Sequence, residues 1–199
     1  MNAPDQLDVR LSDHAGSKWA VVIGFLWGFA EATVFFIVPD VYIGFVALFN
    51  WKRGLWSAIA ALLGAMLGGS LMYALGMNNP SGVNLFLTRI PLIDSALVNQ
   101  VAVDMRNDGL ITLLRGPLTG TPYKIYAAQA GSQTFPLLSL LFMTIPGRLE
   151  RFLPVALLFG GLGNRFVSFR QTHTKLVVGG YILLWGAIYF VLIGYFSFH

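Results

Sequence analysis

Seven ionisable side chains interrupt an otherwise strongly apolar chain: Glu31, Asp40, Arg115, Lys124, Arg148, Glu150 and Arg151. Glu31 and Asp40 stand nine residues apart, and so do Arg115 and Lys124. At the centre of a membrane-spanning segment each would cost about 2.5–3.5 kcal/mol on insertion scales, so such groups must pair with one another or face water. Three negative charges against four positive ones leave one surplus positive charge. That surplus suits an anionic ligand such as a phosphate headgroup, for which arginine supplies a planar fork and lysine a mobile point charge. Glu31 and Arg115 are expected to meet, because both occupy broken segments rather than helix ends. Arg148 and Arg151, three residues apart, share a helical face and are candidate headgroup ligands or structural charges near an interface. A carboxyl group held from water favours its neutral form unless a cation is close; Glu31 and Asp40 are therefore candidates for proton coupling or charge balance.

Composition says what must position these groups. Of 199 residues 56% are hydrophobic and 11% charged, with a mean hydropathy of +0.67; a soluble domain carries about 25% charged residues. An all-α integral membrane protein is expected. Residues 1 to 17 form a polar tail without the apolar core of a secretory signal, so the first hydrophobic segment is expected to remain in the mature protein. There are no cysteines, and His14, His173 and His199 lie in polar flanks or at the terminus. Thiolate chemistry and a histidine metal cluster are thereby unsupported, no cofactor is expected, and an enzyme lacks an evident nucleophile and base. The scattered basic residues argue against nucleic acid, whereas a net charge of +4 suits an anionic membrane surface.

Residues 19–50 are almost continuously apolar. One helix of that length would measure about 48 Å at 1.5 Å per residue, beyond a hydrocarbon core of about 30 Å, yet two spans need more residues. A re-entrant hairpin turning at Pro39 and Asp40 fits, with its broken backbone covered by protein or a water-filled cavity. Residues 54–77 read as a span, and residues 78–108 as an interfacial amphipathic segment. Residues 109–131 carry Gly116, Pro117, Gly120 and Pro122 between Arg115 and Lys124, and read as a second hairpin. Residues 135–163 form a span interrupted by Pro146, Gly147, Arg148, Glu150 and Arg151, residues 164–175 a basic loop, and residues 176–197 the last span. If each hairpin returns to its own side, Arg10, Lys18, Lys52, Arg53, Arg165, Arg170 and Lys175 share one face, against Arg89 and Arg106 opposite. The positive-inside rule makes the richer face cytoplasmic, with the amino terminus inside. Hairpin followed by span then occurs twice in inverted orientation, a pattern that points to a transporter site where the tips meet.

The order Glu31, Pro39, Asp40, followed by Gly64, Gly68, Tyr73 and Gly76 in G-x-x-x-G-x-x-x-x-Y-x-x-G, resembles the DedA family, also called VTT or SNARE-associated Golgi protein-like. TPYKIYAAQAG (121–131) followed by GRLERF (147–152) is similar to its small YqaA-like branch. The resemblance covers about residues 20–160. It implies two re-entrant hairpins meeting in the membrane and movement of lipid between leaflets, with undecaprenyl phosphate or phospholipids as cargo and a dependence on proton motive force in some members. The family's acidic pair falls on Glu31 and Asp40, and its basic pair on Arg115 and Lys124. Both pairs are spaced nine apart here, the second basic residue is lysine, and Met77 stands where many relatives have arginine; these departures bear on which lipid is carried.

The expectation is a bacterial inner-membrane flippase for an anionic lipid, with Arg115, Lys124, Arg148 and Arg151 binding substrate. Pro39, Pro117 and Pro122 would break the hairpins, and Gly64, Gly68, Tyr73 and Gly76 would let helices pack closely. Membrane lipids are the expected partners, and a homodimer is compatible with the pattern. A small-solute or ion/proton antiporter and a non-transporting scaffold are the alternatives.

Overall fold

The computed structural model describes residues 5–198; His199 and the first four residues of the expected tail lie outside them. Among the described residues every regular element is helical. The polar tail forms an amphipathic helix, α1 (Gln6–Gly16), whose amino terminus is capped by the Asp5 carboxylate. The first apolar stretch splits into α2 (Lys18–Glu31) and α3 (Asp40–Phe49). Gly16 approaches Asn50 to within 3.6 Å of a notional Cβ, so the chain that leaves at one end of α2 comes back to it. The turn occupies residues 32–39 rather than Pro39 and Asp40 alone: the Ala30 carbonyl accepts from the N–H groups of Thr33, Val34 and Phe35, which ends α2 early. Pro39 then caps α3 and Asp40 begins it.

α4 (Trp51–Asn78) has 28 residues, about 42 Å at 1.5 Å per residue. Its amino terminus is capped by Asn50, whose side chain accepts from the Arg53 N–H. Glycines line both flanks. A Cβ on Gly64 would strike the Phe25 carbonyl, and one on Gly68 would sit 2.8 Å from the Phe29 carbonyl, which seats α2; a Cβ on Gly76 would strike the Ala128 carbonyl of the second half. Tyr73 donates from its hydroxyl to the Phe135 carbonyl at 2.7 Å.

Residues 78–108 supply the tail of α4 and two helices, α5 (Pro80–Leu87) and α6 (Ser95–Asp108). The second broken segment has a 3-10 helix (Gly109–Leu114), the single turn α7 (Gly116–Thr119), and α8 (Tyr123–Ser132). Its outer arm is thus not an α-helix, because glycine and proline at 116 and 117 leave no room for a continuous ladder. Gly120 reverses the chain at φ 78°, a left-handed conformation that glycine adopts at low cost.

The expected interruption of residues 135–163 breaks the run of apolar residues but not the helix. α9 (Leu137–Arg165) is one helix of 29 residues containing Pro146 and Pro154. Each proline removes one ladder bond, but α3 and α4 both pack on α9 and hold it. The expected basic loop is largely a short helix, α10 (Val167–Thr172), and α11 (Thr174–Phe198) ends the chain.

Contacts fix the directions of the helices. Asp40 meets Arg151, while Gly44 abuts Phe159 and Gly163 abuts Leu48, so α3 runs parallel to α9. Tyr123 lies against Gly69 and Ala128 against Gly76, so α8 runs parallel to α4. Trp51 lies against Gly160 and Tyr73 bonds Phe135, so α4 and α9 are antiparallel. α3 and α8 are therefore also antiparallel, with their amino termini turned toward the middle of the bundle. The apolar core divides accordingly: one cluster gathers around Ile43, Val46 and Phe152, the other around Met72, Leu87 and Ile125.

Among the described residues two helices are long and apolar enough to cross a membrane, α4 and residues Thr174–Gly194 of α11. α9 has the length but carries Arg148, Glu150 and Arg151 in its middle. On α4, Leu63, Leu67, Leu71 and Leu75 form an exposed stripe at four-residue spacing, and α11 exposes Leu176, Ile182, Leu183, Phe190 and Val191.

Candidate functional site

The two broken segments meet through Lys124. Its ammonium donates to the Phe35 carbonyl at 2.9 Å, joining the second residue of α8 to the turn between α2 and α3. The side chain is 1% exposed. A lysine buried so deeply needs acceptors, and an unwound turn supplies them because its carbonyls lack helical partners.

α9 provides the cations that face the carboxylates. Arg148 Nη2 lies 2.6 Å from Glu31 Oε2, both side chains being 5% exposed. Arg151 Nη2 lies 2.7 Å from Asp40 Oδ2, with the arginine 29% exposed and the aspartate 1%. The i, i+3 spacing of Arg148 and Arg151 places them on one face of α9, opposite the ends of α2 and α3 where the acidic residues stand. The Arg148 guanidinium also rests 4.5 Å from the centroid of the Tyr123 ring, a cation–π contact; the Tyr123 hydroxyl is 2.7 Å from Thr144 Oγ1. Two carboxylates and three cations thus share the middle of the bundle, a formal sum of +1. Moving a proton from Lys124 to Asp40 leaves that sum unchanged. Asp40 Oδ1 and Arg148 Nε are shielded and have no hydrogen-bond partner among the described residues.

These groups border a cavity of about 120 Å³ lined by Glu31, Tyr123, Lys124, Arg148 and Arg151, with Trp185, Ile188, Tyr189 and Leu192 of α11 as its outer wall. α11 is fastened there by two hydrogen bonds: the Val38 N–H donates to the Tyr189 hydroxyl at 2.8 Å, and the Tyr181 hydroxyl donates to the Val41 carbonyl at 2.7 Å. Trp27 stiffens the turn from the other side, stacking on Tyr42 at 5.5 Å and donating from Nε1 to the Ile37 carbonyl at 3.0 Å.

Of the residues singled out by sequence, Glu31, Asp40, Lys124, Arg148 and Arg151 come together. Arg115 does not join them. It is exposed and pairs with Asp108 at 2.7 Å, so the expected Glu31–Arg115 contact is replaced by Glu31–Arg148. The reason is geometric: Arg115 follows the 3-10 helix and its side chain turns back to Asp108 at the start of that helix, whereas Lys124 stands in the first turn of the inner helix. Glu150 faces outward and is exposed. Pro39 and Pro122 cap α3 and α8 beside the cavity, while Pro117 lies in the first turn of α7 after Gly116. Among the described residues no group of three histidine, aspartate or glutamate side chains gathers as a metal site. Sequence reasoning missed Tyr123, Trp185 and Tyr189 as lining residues. TPYK placed Tyr123 next to Lys124, and a tyrosine inside an apolar helix needs a hydroxyl partner, which was the available signal for Tyr189. Compared with known proteins, no family profile, no curated protein and no solved structure matches the chain.

Proposed function

We propose that the protein is a membrane transporter that moves an anionic lipid between leaflets, passing the headgroup through the cavity while the acyl chains stay in the bilayer. One observation carries this: a cavity lined by three cations and Glu31, with Asp40 paired to Arg151 beside it, lies directly behind α11, whose outer surface is apolar. A phosphate would compete with Glu31 and Asp40 for Arg148 and Arg151 and draw on Lys124. A carboxylate that loses its arginine away from water is costly in its charged form, so proton uptake would accompany headgroup binding. The antiparallel α3 and α8, meeting by their amino termini, support an inverted pair of re-entrant hairpins. The motifs on which the likeness to the DedA family rests point the same way, and with them a bacterial inner membrane. Arg10, Lys18, Lys52, Arg53, Arg165, Arg170 and Lys175 occupy the end where α1, the α3–α4 corner and α10 meet; this face would be cytoplasmic.

Leaflet exchange in liposomes tests the proposal. A fluorescent phosphatidylglycerol placed in both leaflets should become fully accessible to an external quencher when the protein is present. Lys124→Gln or Arg151→Gln should abolish that exchange. Soluble-ion flux without lipid movement would favour the antiporter.

The scaffold reading has its own support, since each arginine of the site already faces a carboxylate. It would be favoured by no flux of either kind together with recovery of folding in a Glu31→Arg, Arg148→Glu exchange.

A further inference from the structure

The walls of the central cavity are not equally fastened. α8 is buried from Tyr123 to Gly131. α2 is seated on α4, where a Cβ on Gly28 would strike the Ala61 carbonyl, and α9 is seated on α3, where a Cβ on Gly163 would strike the Leu48 carbonyl. α11 is held otherwise. Of residues 174–194 only Thr174 and Tyr181 are buried, although Trp185, Ile188, Tyr189 and Leu192 close the cavity.

The two halves of α11 also differ. Tyr181 anchors the first half: its hydroxyl donates to the Val41 carbonyl at 2.7 Å, and its ring lies edge-on to Phe159 at 5.0 Å and to Phe45 at 5.9 Å. It occupies the space that a side chain at position 44 would need. Beyond Tyr181 no residue up to Gly194 is buried. There the Val38 N–H, donating to the Tyr189 hydroxyl at 2.8 Å, joins the helix to the turn between α2 and α3. Segments with few buried contacts are the ones that open locally, and one neutral hydrogen bond is a weak restraint once a competing partner is present.

The central cavity brings such a competitor to this bond. Val38 lies in the unwound turn, and its N–H finds no carbonyl among the described residues. It also lines the cavity. An ionised phosphate oxygen makes a hydrogen bond roughly twice as strong as a neutral acceptor does, so a headgroup reaching the Val38 N–H would displace Tyr189 from it. The freed segment suits both surroundings. Trp185 and Tyr189 line the cavity with rings that carry a polar tip, while Leu183, Phe190 and Val191 are exposed.

We propose that α11 beyond Tyr181 is a lateral gate of the central cavity, and that the headgroup passes between cavity and bilayer beside the α2–α3 turn when Tyr189 releases Val38. The proposal rests on the reading of this cavity as a headgroup passage, and its test separates the gate from transport.

The chain has no cysteine, so spin labels attach only where cysteines are introduced. Double electron–electron resonance in phosphatidylglycerol nanodiscs should give two distances for labels at Leu71→Cys and Phe190→Cys, and one for labels at Leu71→Cys and Leu176→Cys; all three positions are exposed. Tyr189→Phe removes the acceptor and keeps the ring. It should raise the ratio of displaced to closed α11 about fivefold, the ratio set by the net contribution of one hydrogen bond. In Val38→Cys with Tyr189→Cys, a reducible bifunctional thiol reagent about as long as the lost tyrosine side chain should stop leaflet exchange, and a reductant should restore it. A single distance at position 190 that Tyr189→Phe leaves unaltered would overturn the proposal. So would full exchange by the bridged protein, which would route the headgroup past residues 91–93 or 120–122 on the other rim. Movement at position 190 without lipid exchange in the wild type would uphold the gate and defeat the transport reading, whereas exchange with α11 fixed would do the reverse.

Discussion

Replacing Glu31 by glutamine leaves Arg148 charged where it has little access to water. The two side chains are 2.6 Å apart and each is 5% exposed, and the neighbouring carboxylate, Asp40, is held by Arg151. Breaking a buried ion pair from one side costs about 3–5 kcal/mol. The Tyr123 ring beneath the guanidinium retains about 2 kcal/mol of cation–π attraction for a desolvated arginine, so the lower end of that range, about 3 kcal/mol, is expected. Arg148→Gln strands Glu31 in the same way and should cost a similar amount. The double variant removes both charges and loses about 1–2 kcal/mol of hydrogen bonding, which makes it more stable than either single one. Equilibrium unfolding by sodium dodecyl sulfate in mixed micelles, followed by tryptophan fluorescence, measures all four corners of the cycle. Single variants that cost under about 1 kcal/mol, as exposed pairs do, or effects that add within about 0.5 kcal/mol, would show that Glu31 and Arg148 are not a buried, coupled pair.

Three other outcomes follow from the geometry. Gly76→Ala places a Cβ against the Ala128 carbonyl and should cost about 1–3 kcal/mol by overpacking in the same assay, whereas Gly161→Ala, where a Cβ meets nothing within 4 Å, should be neutral or slightly stabilising. Arg115→Ala removes an exposed pair with Asp108; it should change stability by less than about 1 kcal/mol and leave leaflet exchange unaffected. Asp8 lies outside the spanning segments, where desolvation raises its pKa above the usual aspartate value although Arg170 opposes the shift. The folded state therefore binds more protons than the unfolded one between pH 3.8 and the folded-state pKa, and α1 should dock more firmly as pH falls through that window. Asp8→Asn should remove this dependence, as read from the mobility of a spin label on α1.

Composition and breaker residues made the helical class and the two broken segments legible, because hydropathy and proline act locally. Tight helix approach was equally legible at Gly64, Gly68 and Gly76, where only glycine admits a neighbouring carbonyl. The pairing inside the site was not. Arg115, Lys124, Arg148 and Arg151 each carry a charge that could face Glu31, and only the tertiary placement of α9 against the ends of α2 and α3 decides among them. Pro146 and Gly147 suggested a broken span, yet α9 continues through them and through Pro154, because packing against α3 and α4 outweighs the missing hydrogen bonds. The wall that α11 contributes through Trp185 and Tyr189 depends on tertiary placement that no local pattern encodes.

A structure of the protein in lipid nanodiscs, with an anionic phospholipid or lipid phosphate bound, tests the transport site most directly. Phosphate density is expected in the central cavity within hydrogen-bonding distance of Lys124 and Arg151, with Asp40 or Glu31 released from its arginine. Lipid confined to the outer surface, with Glu31–Arg148 and Asp40–Arg151 intact at saturating lipid, would contradict it.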